Sequence, residues 1–170
     1  MTGKAKAKGN SGERELCTIL KNTFGGSFIR VPNSGAYIGG KNAHRREFLS
    51  EGQVRHAKGD IIPPGHMPKL VLECKFYAEF PFHSLITGGK VPQLDKWIEQ
   101  TLDCVEEGDL WFVAFKINRK GWFICYSHDL APKVAVGNHA VYNDGKNSFV
   151  VTELTKFVAD NKDVILDLSK

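Results

Sequence analysis

Residues Lys58 to Tyr77 read KGDIIPPGHMPKLVLECKFY, two apolar runs broken by acids on either side of a Pro63-Pro64-Gly65 turn. The second run, Leu70-Val71-Leu72-Glu73-Cys74-Lys75-Phe76, is short and apolar, the pattern of a buried strand. Alternation along a strand sends Glu73 and Lys75 to one face and Leu72, Cys74 and Phe76 to the other. The first run, Gly59-Asp60-Ile61-Ile62, starts at its acid and stops at the turn. If the two strands pair, Asp60 approaches Glu73, and two carboxylates are the hard oxygen ligands that Mg²⁺ prefers. Lys75 would then stand beside the attacking water. The competing reading is a buried Glu73–Lys75 ion pair with Asp60 as a turn or cap residue, because a D…ExK pattern is short and degenerate. That reading must also account for three charges in apolar runs, where burial is costly unless the charges are paired or metal-bound. The stretch is therefore read as a metal site for cutting nucleic acid.

The 170 residues, at 42% hydrophobic, suit one domain, residues 1–170, with a single core. No apolar run approaches membrane-spanning length, and MTGKAKAKGNSGERE at the start has no apolar segment to serve as a secretory signal, so a cytoplasmic protein is expected. Cys17, Cys74, Cys104 and Cys125 lack paired spacing, which argues against a zinc site or a disulfide framework. The net charge of +4 is uneven: residues 1–60 hold eleven Lys and Arg against five Asp and Glu, and residues 61–170 hold twelve against fourteen. The positive half precedes the candidate strand, which suits a polyanion gripped near Asp60. A solvated charged face is the plainer alternative.

Outward from the strand, residues 1–9 read as a flexible basic tail. Asn10-Ser11-Gly12-Glu13 reads as a helix start, with Asn10 as N-cap and a helix running to about Thr23. Its apolar face holds Leu16, Cys17, Leu20 and Phe24, with Glu13 on the same side. Glu15 lies about 200° from Glu13 and points to solvent. An acid from this helix that reaches the metal is therefore Glu13, with a capping role as the alternative. Ser27–Val31 is a short strand. Residues 33–57 form a basic insertion with Lys41, His44, Arg45, Arg46, Arg55 and His56, a loop long enough to be functional or disordered. Its middle, Asn42 to Ser50, is expected as a short helix, and the insertion is read as the DNA-contacting element. Pro92 to Glu107 carries the helical stripe Leu94, Trp97, Ile98, Thr101, Leu102 and Val105, and Lys90 and Gln93 at its start are candidates to face substrate. Leu110–Lys116 is a continuous apolar run, a central strand buried on both sides, that turns at Asn118–Gly121 into its hairpin partner Trp122–Tyr126. Beyond Ser127 a short strand at Phe149–Val151 and a helix near Glu153–Asn161 are expected.

This order of elements, with acids at Glu13, Asp60 and Glu73 and the base at Lys75, resembles the PD-(D/E)XK nucleases and, more narrowly, the archaeal-type Holliday junction resolvases. The match is carried by KGNSGEREL (Lys8–Leu16), the Arg30-Val31 strand with Ser34 following, Asp60-Ile61-Ile62, LECK (Leu72–Lys75), Ala114-Phe115-Lys116 and Gly121–Ile124. Phage-encoded nucleases that process branched replication intermediates are similar. The resemblance implies an α/β restriction-endonuclease-like core, a mixed central sheet flanked by helices. It also implies a homodimeric Mg²⁺-dependent endonuclease, Mn²⁺ substituting, that recognises four-way DNA junctions. Asp60, Glu73, the carbonyl of Cys74 and Glu13 would hold metal, with Lys75 as the base. Lys8, Arg14, Arg30, Ser34 and Lys58 would join the insertion in contacting DNA. Gly59 stands where that family has Pro, and the 33–57 insertion and the extension at 127–170 are longer than in compact resolvases. A restriction-like or RecB-like nuclease acting on duplex or single-stranded DNA is the alternative, and a non-catalytic DNA-binding module is a third. Phe76-Tyr77 and Phe80-Pro81-Phe82 are the expected dimer contact.

Overall fold

The computed structural model describes residues 3–31, 47 and 58–170. The elements are α1 (Gly3–Phe24), β1 (Ile29–Arg30), β2 (Ile61–Ile62), β3 (Leu70–Tyr77), α2 (Phe82–Thr87), α3 (Pro92–Leu102), β4 (Leu110–Ile117) and β5 (Gly121–Ser127). After a 3₁₀ turn at His128–Lys133 come β6 (His139–Asn143), β7 (Ser148–Glu153), α4 (Leu154–Asp160) and α5 (Lys162–Leu168). The central sheet has the order β3-β4-β5-β7-β6. Strand β3 runs parallel to β4, with Glu73 opposite Val113 and Lys75 opposite Phe115; the remaining pairs are antiparallel. The sheet is thus mixed, and among the described residues β3 is its edge strand.

Side-chain alternation divides this sheet between two cores. On one face Leu72, Cys74, Phe112, Ala114, Ile124 and Tyr126 meet Leu16, Leu20 and Phe24 of α1, Phe157 of α4 and Ile165 of α5. On the other Val113, Phe115, Ile117 and Cys125 meet Leu94, Trp97 and Ile98 of α3 and Leu85 of α2. Strand β4 supplies both cores, which is why its sequence is an unbroken apolar run rather than an alternating one. All four cysteines are free. Among the described residues no helix is long and apolar enough to cross a membrane.

Several expectations need correction. Helix α1 begins at Gly3, so Asn10 lies within it rather than capping it, and the residues expected as a basic tail form its first turns. Strand β2 pairs with β1, Ile29 opposite Ile62 and Arg30 opposite Ile61, and does not ladder with β3. Residues 127–170 are no appendage, since they supply β6 and β7 of the central sheet and helices α4 and α5. Helix α3 stops at Leu102, short of Val105. Phe80 is 7% exposed, with its ring centroid 4.9 Å from that of Phe115 and 5.7 Å from that of Trp97; Phe82 packs on Phe123. Of the aromatic residues expected at a dimer contact, Phe80 belongs to the core, Phe76 and Phe82 are half-buried, and Tyr77 is 43% exposed. The expected Asn42–Ser50 helix, Glu47 apart, and Ser34, Lys41, Arg45, Arg46 and Arg55 lie outside the described residues.

Candidate active site

Strand β3 brings acid and base to one face, as alternation requires: Lys75 Nζ donates to Glu73 Oε1 at 2.6 Å. Glu73 is 3% exposed and Asp60 4%. Asp60 reaches this point without strand pairing. Its N–H donates to the Leu72 carbonyl at 2.8 Å, and its carbonyl accepts from Val31 N–H at 2.9 Å. Its side-chain Oδ2 accepts from Cys74 N–H at 2.8 Å. The chain enters through Gly59 at φ 67°, and a Cβ there would collide with the Leu72 carbonyl. Glycine is required by both conformation and contact, and this accounts for the residue in place of Pro. The N–H and C=O of one strand residue point to the same side of the strand, so the Cys74 carbonyl lies on the side of β3 away from β4, with Asp60.

Electrostatics mark the pair. Burial, reinforced by the Asp60 charge with which it shares a hydrogen bond, raises the Glu73 pKa from 4.5 to about 7 against the opposing pull of Lys75. Burial presses the Lys75 ammonium downward, but Glu73 outweighs it and the net displacement is upward. Two buried carboxylates that resist ionising together, beside a lysine that stays charged, are the donor set a hard divalent cation neutralises. The residues therefore fit such an ion, although among the described residues no group of three or more His, Cys, Asp or Glu converges.

Glu13 is engaged by Arg30: Arg30 Nε donates to Glu13 Oε2, while Arg30 Nη2 donates to Asn10 Oδ1 at 2.7 Å. Antiparallel pairing of β1 with β2 places Arg30 opposite Ile61, one residue from Asp60, so Glu13 and Arg30 stand beside the pair as a second unit. Glu15, expected in solvent, accepts from Lys116 Nζ at 2.6 Å and Trp122 Nε1 at 2.9 Å. Arg14 is exposed on α1, and Lys8 lies over the Phe76 ring at 4.4 Å.

Lys58, Lys90 and Gln93 are the remaining described candidates to face substrate. Lys58 is 6% exposed and its Nζ is held by Asp109 Oδ2 at 2.7 Å and Glu106 Oε2 at 2.8 Å; a buried, doubly paired ammonium is not open to phosphate. Lys90 donates to the Asp144 carbonyl in the β6–β7 turn. Lys90 and Gln93 stand at the start of α3, while the residue of that helix that meets the candidate base is Gln100 near its other end, whose Oε1 accepts from Lys75 Nζ at 3.0 Å. Gln100 was not singled out from sequence; its only signal is a polar residue three positions after Trp97, bordering the apolar stripe.

Comparison with known proteins agrees with this picture. A family described as "Phage putative PDDEXK endonuclease" matches residues 4–167. "Protein D14" of Escherichia phage T5 is 29% identical over 156 residues, covering 86% of this chain and 87% of that protein. No solved structure gives a significant match. The family match runs through every element just described, from α1 to α5, so the chain belongs to this phage PDDEXK endonuclease family and has its fold, an α/β core with a mixed central sheet flanked by helices.

Proposed function

We propose that the protein is a divalent-cation-dependent DNA endonuclease that hydrolyses phosphodiester bonds at four-way junctions or related branched DNA, in the cytoplasm of a host cell. The observation that carries the nuclease reading is the buried Asp60–Glu73 pair with Lys75 bonded to Glu73. Asp60, Glu73 and the Cys74 carbonyl would hold Mg²⁺, and Mn²⁺ suits the same oxygen donors. The cation, when bound, supplies Lewis acidity toward the scissile phosphate and eases ionisation of water. Lys75 spends two of its three N–H donors on Glu73 and Gln100, which aims the third at water or a phosphate oxygen. Its charge offsets that of the phosphate, and Gln100 restricts its rotamers. Glu13 orients the Arg30 guanidinium, which with Lys8 and exposed Arg14 forms the basic approach to the site. Lys41, Arg45, Arg46 and Arg55, by charge, and Ser34, by sequence position, would extend that approach. Preference for junctions rests on the sequence resemblance and on symmetry: paired cuts on strands related by a two-fold axis need two equivalent sites, which a C₂ dimer provides.

Cleavage of four-way, flap, duplex and single-stranded DNA with Mg²⁺ tests this. Four-way or flap DNA is expected to be cut, and Asp60→Asn or Glu73→Gln is expected to abolish cleavage while leaving DNA binding in chelator intact, since grip comes from cationic side chains. Unimpaired cleavage by either variant would overturn the mechanism. Equal cutting of linear duplex would remove the junction preference and leave a restriction-like nuclease.

A further inference from the structure

Lys58 has no role in the mechanism above, yet it is a buried cation two residues from Asp60. Its ammonium is bonded to Asp109, whose side chain is 9% exposed, and to Glu106, which is 52% exposed. Asp109 Oδ2 also accepts from Glu106 N–H at 2.9 Å, closing the turn between α3 and β4. The next residue, Leu110, donates its N–H to the Lys69 carbonyl at 2.9 Å and starts the parallel ladder with β3 opposite Leu70. Between Lys58 and Asp60 stands Gly59, wedged against the Leu72 backbone.

We infer that Lys58 is a positioning residue: its ion pair with Asp109 ties the segment that delivers Asp60 to the start of β4, and so fixes the Asp60 carboxylate against the Cys74 amide. The link to cation binding rests on the nuclease reading; the positioning of Asp60 does not. The physical reason is that the buried Asp109 carboxylate is held by Lys58, and the Lys58 ammonium is held by Asp109 and by Glu106 of the same turn. An enclosed ammonium or carboxylate without its counter-ion is strongly disfavoured, so the two stay together and the Lys58 backbone is held wherever the β4 turn holds Asp109. With that end fixed and the Leu72 and Val31 hydrogen bonds fixing Asp60 itself, the short segment has no slack. A ligand whose orientation is set from outside its own contacts loses affinity when that support is removed, by about ten- to a hundredfold for outer partners of metal ligands.

The Cys74 amide reports directly on the Asp60 side chain, because its hydrogen-bond acceptor is Asp60 Oδ2. Hydrogen exchange read by NMR on cation-free protein is therefore the primary test. Lys58→Met is expected to lower protection of the Cys74 and Asp60 amides by about tenfold relative to Ile124 in mid-sheet, a local opening rather than global unfolding. Lys58→Arg, which keeps the charge, is expected to restore it. Asp109→Asn, which keeps a hydrogen-bonding acceptor for Lys58, is expected to act in the same direction and serves if Lys58→Met fails to fold. Titration with Mn²⁺ alone, followed by calorimetry, is expected to show the loss of cation affinity in the same variants. Val151→Ala, a core change in β7 on the face of the sheet opposite Cys74 and Ile124, controls for general destabilisation and is expected to leave Cys74 protection unchanged relative to Ile124. Unchanged Cys74 protection in both Lys58→Met and Asp109→Asn would overturn the assignment. So would a Lys58→Met variant whose only change is weaker DNA binding in chelator with a salt dependence shallower by about one unit, the mark of a phosphate contact. A wild-type protein that binds no Mn²⁺ would sink the nuclease reading instead, and the exchange result on Cys74 would still decide the role of Lys58.

Discussion

Glu73 is the residue whose protonation the fold changes most consequentially, and its direction sets a pH dependence. Its pKa rises from 4.5 to about 7 on burial beside Asp60. A raised carboxyl pKa means that the folded state keeps a proton which the unfolded chain releases, so this contribution is fully present below pH 4.5 and is lost as pH rises through about 7. In chelator, the unfolding midpoint of wild type is expected to fall across that window more than that of Glu73→Gln, and added Mg²⁺ is expected to recover it above neutrality. Thermal unfolding of both proteins against pH checks this, and parallel curves would contradict it. At the same scale, Glu13 and Glu15 are distinguishable. Glu13 holds Arg30 at the site, whereas Glu15 ties α1 to β4 and β5 through Lys116 and Trp122. Glu13→Gln is expected to lower cleavage with little loss of stability, and Glu15→Gln to lower stability with cleavage by the folded fraction retained; urea titrations beside initial rates separate the two.

Among the elements, α3 and the segment leading into α2 show how a stretch that reads as spare apolar surface becomes core. Phe80 and Phe82 pack with Trp97, Phe115 and Phe123 into an aromatic cluster roofing β4 and β5. Phe80→Ala is accordingly expected to cost about 3–5 kcal/mol of unfolding free energy, the range for emptying a buried aromatic site. Ile86 on α2, 84% exposed, is expected to stay within about 0.5 kcal/mol on replacement by Ala, as exposed positions do. Urea denaturation of the two variants checks the contrast, and equal effects would return Phe80 to the surface. The ribbon of β1 and β2 shows the reverse: each strand is two residues long, too short to announce a partner by its pattern, and its place is set by backbone bonds to Leu72 and from Val31.

For the whole molecule, the open quantity is assembly. The symmetry of a junction calls for two sites related by a dyad, and a dimer is expected in solution or on DNA, formed by surfaces other than buried Phe80. Light scattering of the free protein and of its complex with a four-way junction checks this. A protein monomeric in both states would direct the reading toward a nuclease that nicks one strand at a time.

Sequence alone determined the parts of this protein that follow from local periodicity. Alternation placed Glu73 and Lys75 on one face of β3, and the unbroken run Leu110–Lys116 announced a strand buried on both sides. Glycine and asparagine beside basic residues marked the β4–β5 hairpin, where Arg119 takes φ 60°. Tertiary structure decided what depends on partners distant in the chain. No local pattern tells β2 to pair with β1, 31 positions apart at Arg30 and Ile61, or sends Lys58 to Asp109 rather than to solvent. Nor does it bring Gln100 to Lys75. A charged side chain looks the same in sequence whether it meets water, DNA or a buried counter-ion, because its energy is set by the charges and dielectric around it, and those are known only once the chain has folded.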